Sequence, residues 1–169
     1  MQYFLLRCGL ILPLFFLYAC QGYDVRVNER VVYTPPPLFK QFDLPDAALR
    51  VCVQQVIADE SITRASQLVA LNCSHAGIEN LDGLQVFSSL ASLRLSANRI
   101  RNLLALSELQ ELQHLYLDSN RVIDPVPLNR LQKLQTLDLT ANPALQCPES
   151  GAFSGVGKLS LPAHCTAGG

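Results

Sequence analysis

The chain has 169 residues, with 13 Lys and Arg against 14 Asp and Glu and a formal net charge of −1 at neutral pH. Without a basic run, that balance argues against nucleic acid as the partner. Six cysteines are present but no CxxC pair, which argues against a zinc site, and neither a Gly-rich phosphate loop nor a nucleophile motif stands out.

Residues 1–19 read as an export leader: Arg7 is the only charge, and the apolar run from Cys8 to Ala19 is too short to span a bilayer. The leader ends Leu17-Tyr18-Ala19-Cys20, which resembles the lipobox of bacterial lipoproteins, with Tyr18 in place of the usual small residue. That resemblance implies a cell-envelope protein whose mature chain begins at Cys20 and carries covalent lipid there, enough buried CH₂ to hold it to a leaflet. The resemblance to Gram-negative lipoproteins, in which an Asp after the cysteine goes with retention at the inner membrane, further implies from Gln21 an outer-membrane address. The alternative is a soluble secreted protein. Residues 20–44 are expected to be the lipidated N-terminus and an extended tether, since Pro35-Pro36-Pro37 forbids helix. Within it Val25, Val27, Val31 and Val32 sit among charges in a strand-like pattern.

Residues 45–67 form an N-terminal cap. Leu49, Cys52, Val53, Val56 and Ile57 fall at i, i+3, i+4, i+7 and i+8, the stripe of an amphipathic helix, with Asp46 after Pro45 as its N-cap.

From residue 68 to 144 the chain repeats every 22 residues. Leu68, Leu90, Leu112 and Leu134 each open a segment close to L-x-x-L-x-L-x-x-N-x-L, the sign of a leucine-rich-repeat solenoid. Positions 4 and 6 alternate with polar neighbours, as in a strand, and the later apolar positions recur every three residues, as in a short helical or 3₁₀ return. The fold class is therefore an α/β solenoid: a short curved stack with a parallel sheet on its concave side, a helical N-terminal cap and an irregular C-terminal cap. Asn98, Asn120 and Asn142 stand at one place in successive rungs, where an amide can both donate to and accept from a buried turn. Ala76 breaks that column and Cys73 replaces a leucine, marking the first rung as an edge unit. Residues 145–169, with Leu145, Phe153, Val156, Leu159 and Leu161 spread among Gly and Pro, read as the irregular lid.

Outside the leader the cysteines are Cys52, Cys73, Cys147 and Cys165, which allow three connectivities. The cap and the lid are on the order of 15 Å apart along the stack, and a disulfide needs Cα atoms within about 7 Å. Pairing Cys52 with Cys73 and Cys147 with Cys165 is therefore favoured, each bond stapling one cap; two reduced, packed thiols at Cys52 and Cys73 are the alternative.

The run from Phe42 to Asn142 resembles the 22-residue repeat class of the bacterial internalins, in particular at Ile78-Glu79-Asn80-Leu81-Asp82-Gly83-Leu84 and Ile123-Asp124-Pro125-Val126-Pro127-Leu128. The resemblance implies the solenoid fold and a protein-binding role; host-cell adhesion is not carried over, because the cell-wall sorting tail is missing and the rungs are few.

On each strand the non-core positions face the concave side, and the column Asn72, Arg94, Tyr116, Asp138 holds an Arg and an aromatic, types that often carry interface energy. With His114 and Asp118 beside it, this column is the candidate surface for a protein or peptide partner. The other readings are a passive envelope component and an enzyme using His114, Tyr116 and Asp118; against catalysis stands an open sheet face with no pocket to exclude water. The only cofactor-like group implied is the lipid on Cys20, and no metal site is expected.

Overall fold

The computed structural model describes residues 25–27 and 29–166, so the leader and the lipid-bearing Cys20 lie outside the described residues. The chain divides after Pro36. In the first unit β1 (Val25–Val27) pairs antiparallel with β2 (Arg30–Tyr33), so the strand-like valines of the tether pair with one another's strands, through a turn in which Glu29 has φ +65°.

The second unit begins with a segment that the sequence reading assigned to the tether. Residues 38–44 instead pack on the cap. Leu44 is fully buried, Leu38 lies against the core, and the rings of Phe39 and Phe42 meet that of the buried Phe87, with centroids 5.5 to 6.1 Å apart. Apolar side chains of this size are worth burying together, and the backbone follows, Phe39 N–H donating to the Ile62 carbonyl. Gly83 makes the approach sterically feasible: its φ is +88°, and a Cβ on it would overlap the carbonyl oxygen of Asp43.

The capping helix α1 (Ala47–Asp59) has Asp46 as its N-cap and buries Leu49, Val53 and Ile57, with Cys52 and Val56 half-buried along the same stripe. Beyond it, β3 (Ala70–Asn72), β4 (Ser92–Arg94), β5 (His114–Tyr116) and β6 (Thr136–Asp138) pair in parallel, each register offset by one 22-residue repeat. The returns are 3₁₀ turns at Leu84–Val86, Leu104–Glu108 and Val126–Arg130, as the three-residue apolar spacing requires. Between strands and returns, leucines stack in columns; Leu71, Leu93, Leu115 and Leu137 are all buried at the centre of their strands.

The asparagine column works as the sequence predicts. The Asn120 amide donates to the carbonyls of Leu95 and Leu117, while its oxygen accepts from Ile100 N–H; Asn98 and Asn142 repeat the arrangement one rung to either side. The residue before each asparagine is left-handed, with φ +55° at Ala97, +57° at Ser119 and +52° at Ala141, a bend that costs a side-chain-bearing residue about 1–2 kcal/mol. In the first rung, where Ala76 stands, Asn98 reaches across and accepts from the N–H of Ala76 as well as Ile78.

The lid is more regular than expected. After irregular turns it adds β7 (Lys158–Ser160), parallel to β6 with Leu159 beside Leu137, and then the single turn α2 (Ala163–Thr166). The concave sheet thus has five strands. Leu159 keeps 39% of its surface exposed, since β7 ends the sheet, whereas Leu137 is fully covered. Cys52 is bonded to Cys73, joining the cap helix to the end of β3, and Cys147 to Cys165 across the lid, with Cα separations of 5.9 and 5.2 Å. Among the described residues no helix is long and apolar enough to cross a membrane.

Candidate functional site

The strand pattern decides which side chains reach the concave face. With Leu71, Leu93, Leu115, Leu137 and Leu159 inward, period-2 alternation turns the residues on either side of each outward. Parallel register then lines them up across rungs. One column is Ala70, Ser92, His114, Thr136, Lys158; the next is Asn72, Arg94, Tyr116, Asp138, Ser160. Asp118 stands one step further along, beyond the end of β5, beside Ser96.

Arg94 and Tyr116 sit side by side near the middle of the sheet. The guanidinium lies over the phenol ring at 4.2 Å from its centroid, Arg94 exposed and Tyr116 half-buried. A cation over an aromatic face gains about 0.5–1 kcal/mol at such a site, and here the larger effect is to hold two long side chains flat as one plate. Asp138, next in the column, is held from its own strand end: its Oδ1 accepts from the N–H of Thr140 at 3.0 Å and from the Thr140 hydroxyl at 2.7 Å. Asp118 accepts at Oδ1 from the Ser96 hydroxyl at 2.5 Å. The second oxygen of each carboxylate makes no hydrogen bond to a described residue, so both remain able to accept from a partner. At the N-terminal edge, Asn72 Oδ1 accepts from the N–H and hydroxyl of Ser74, and Asn72 also borders a groove on the outer face of α1 lined by Val51, Cys52 and Val56.

His114 does not meet Asp118. Its Nδ1 lies 3.2 Å from the Thr136 hydroxyl on the neighbouring rung, and Asp118 is engaged by Ser96 on the rung to the other side. Alternation along one strand puts His114, Tyr116 and Asp118 on one face, but neighbouring rungs are closer than next-but-one residues, so each pairs sideways. No hydrogen-bonded acid and base pair links His114 to Asp118, and what the arrangement offers instead is a set of pinned donors and acceptors around an aromatic plate.

Two contributions escaped the sequence reading. Lys158 and Ser160 extend the columns by one strand; the signal was there, since Val156, Leu159 and Leu161 stand 22 residues after Leu134, Leu137 and Leu139. Asp46 does more than cap its helix. Its Oδ1 accepts from Leu49 N–H at 3.0 Å, and Oδ2 accepts from Glu79 N–H at 2.9 Å and Asn80 N–H at 3.0 Å, so one carboxylate fastens α1 to the first rung. Burial pushes this carboxyl up, but the N–H groups of Glu79, Leu49, Asn80 and Ala48 together outweigh it and hold Asp46 below its ordinary value.

No protein-family model and no curated protein matches the chain. Among solved structures, an internalin from Listeria monocytogenes, InlF, superposes with a TM-score of 0.59 at 23% identity over 71% of this chain and 36% of its own. Internalin C2 from the same organism gives 0.59 and 23% over 70% of this chain and 54% of its own. The fold is thus the internalin-like leucine-rich-repeat solenoid, and the chain spans between about a third and about half the length of these two structures.

Proposed function

We propose that the protein is a bacterial cell-envelope lipoprotein, anchored by lipid on Cys20 with the outer membrane as its address, whose leucine-rich-repeat surface binds a protein or peptide on the concave sheet. It is a binding protein, not an enzyme, and needs no cofactor besides its lipid. The observation that carries the reading is the Arg94–Tyr116 plate: the two residue types that most often dominate interfaces lie stacked at 4.2 Å near the middle of the sheet. Asn72, His114, Asp118 and Asp138 surround it as polar contacts that fix a partner's register. The internalin-like fold supports an interaction surface of this kind, and its disulfides suit an oxidising envelope.

A photo-cross-linking residue at His114, introduced in living cells, tests this. A discrete adduct is expected. Arg94→Ala with Tyr116→Ala removes it, because losing two central contacts of about 2 kcal/mol each weakens binding by well over a hundredfold, while the protein stays folded, its circular-dichroism spectrum unchanged. An adduct that survives the double substitution would instead favour a passive envelope component.

A further inference from the structure

Where each rung leaves the sheet and bends toward its return, the side chains again stack in columns, and here like charges fall on adjacent rungs. On the return side, charged neighbours 22 residues apart are opposite in sign: Lys133 meets Glu111 at 2.6 Å and Arg130 meets Glu108 at 4.0 Å. On the bend, the residues 22 apart are Arg99 and Arg121, two like charges on adjacent rungs, with Arg101 two residues on from Arg99. Like charges placed directly opposite one another destabilise a sheet-like stack. The only ion pair in the group joins Arg99 to Glu79 at 3.3 Å, and Arg101 and Arg121 make no ion pair or side-chain hydrogen bond with a described residue. Of the three guanidiniums, then, Arg99 alone is paired, and its partner Glu79 is the one carboxylate beside a groove lined by all three.

The backbone beneath them is fixed. Arg99 N–H donates to Ile78 carbonyl at 2.8 Å and Arg121 N–H to Ile100 carbonyl at 3.0 Å, continuing the inter-rung ladder past the strands. Beside the arginines lies a groove of about 490 Å³, with Ile123, Pro143 and Ala144 as its apolar wall, a volume within the usual range for a ligand site, about 300–1,000 Å³.

We infer that this groove is a second binding site, separate from the concave face, and that it takes an acidic peptide segment with an apolar side chain next to its carboxylates. Guanidinium forks match carboxylates in a bidentate way, and the wall of Ile123, Pro143 and Ala144 gives an aliphatic side chain somewhere to go. A long polyanion fits less well, since the cluster is short and the protein as a whole is slightly acidic.

The test uses fluorescence anisotropy of a labelled hexapeptide, Glu-Leu-Glu-Glu-Leu-Glu, with the purified protein at low ionic strength, where exposed charges are least screened. Saturable binding is expected. Arg101→Gln with Arg121→Gln weakens it at least tenfold without lowering the thermal midpoint, Arg94→Ala with Tyr116→Ala leaves it unchanged, and replacing the two Leu of the probe by Ser weakens it several-fold. Absence of saturable binding, indifference to the Arg101 and Arg121 substitutions, or equal binding of the Ser-containing probe and of inorganic phosphate would each overturn the proposal. Because the concave-face substitutions are read in the same assay, failure here is distinguishable from failure of the concave-face reading.

Discussion

Asp46 is where a single atom group joins two parts of the fold, and its removal has a magnitude that can be worked out. Asp46→Ala deletes an N-cap, worth about 0.5–2 kcal/mol, and also unpairs the N–H groups of Glu79 and Asn80, which then donate in part to water because this loop is exposed. Charge-assisted hydrogen bonds of that kind contribute about 1 kcal/mol each after allowing for solvent. The expected loss is therefore about 2–4 kcal/mol. Asp46→Asn keeps one acceptor and loses the charge, so it costs about half as much. The pH dependence follows from the depressed carboxyl. A carboxylate held below its ordinary value stabilises the fold fully above the unfolded value, near 3.8, and that stabilisation disappears as pH falls through the folded value. The wild-type advantage over Asp46→Asn should thus be constant from neutral pH to about pH 5 and shrink as pH is lowered toward about 2. Urea unfolding followed by circular dichroism at a series of pH values measures it. An Asp46→Ala protein within about 0.5 kcal/mol of wild type, or an advantage that grows in acid, would show that the contacts to Glu79 and Asn80 do not hold the cap.

Two further outcomes can be checked as directly. Gly83→Ala should cost about 2–5 kcal/mol, from the left-handed backbone plus the overlap with the Asp43 carbonyl, whereas Gly77→Ala, also left-handed at φ +81° but with open space around it, should cost only about 1–2 kcal/mol; comparing the two urea midpoints separates conformation from crowding. For the anchor, metabolic labelling with a radioactive fatty acid should mark the protein, and Cys20→Ser should abolish the label and move the protein from the membrane to the soluble fraction; a variant that stays labelled would rule out lipid on Cys20.

The repeats could be read because a solenoid writes its geometry into the sequence twice, once as period 2 in the strands and once as period 22 between rungs. Asn98, Asn120 and Asn142 were identifiable for the same reason: a buried turn needs a side chain that donates and accepts, and few types can. The losses came where those constraints relax. In β7 the opening leucine is Val156 and the spacing is crowded by Gly151, Gly155 and Gly157, so residues that satisfy the period looked scattered. Phe39 and Leu44 carry no local periodicity because they are placed by partners distant in sequence, Phe87 for the ring and the turn at Gly83 for the leucine, and only tertiary packing reveals such pairs. The Arg94–Tyr116 stack was predictable as a column but not as a plate, since register shows that two side chains are neighbours and not which face meets which.

The fifth strand also changes what the concave face can hold. Five three-residue strands about 4.8 Å apart, each presenting about 10 Å, offer roughly 240 Å², a quarter more than four strands and still about a third of the 800 Å² that a stable partner buries on each side. The sheet alone therefore suits a peptide or a weak contact. A tight partner must gain area off the sheet, and the surfaces that adjoin it differ in what they would select. The groove on α1, walled by Val51, Cys52 and Val56 and touching Asn72, would reward an apolar extension, while the Arg99, Arg101 and Arg121 groove would reward an acidic one. Salt discriminates between them: contacts to the arginines weaken as ionic strength rises past the point where the screening length falls below about 10 Å, and apolar contacts on the cap do not. A partner whose affinity falls more steeply with salt for the wild type than for Arg101→Gln with Arg121→Gln is reaching round the bend of the rungs; one whose salt dependence is the same for both proteins is not.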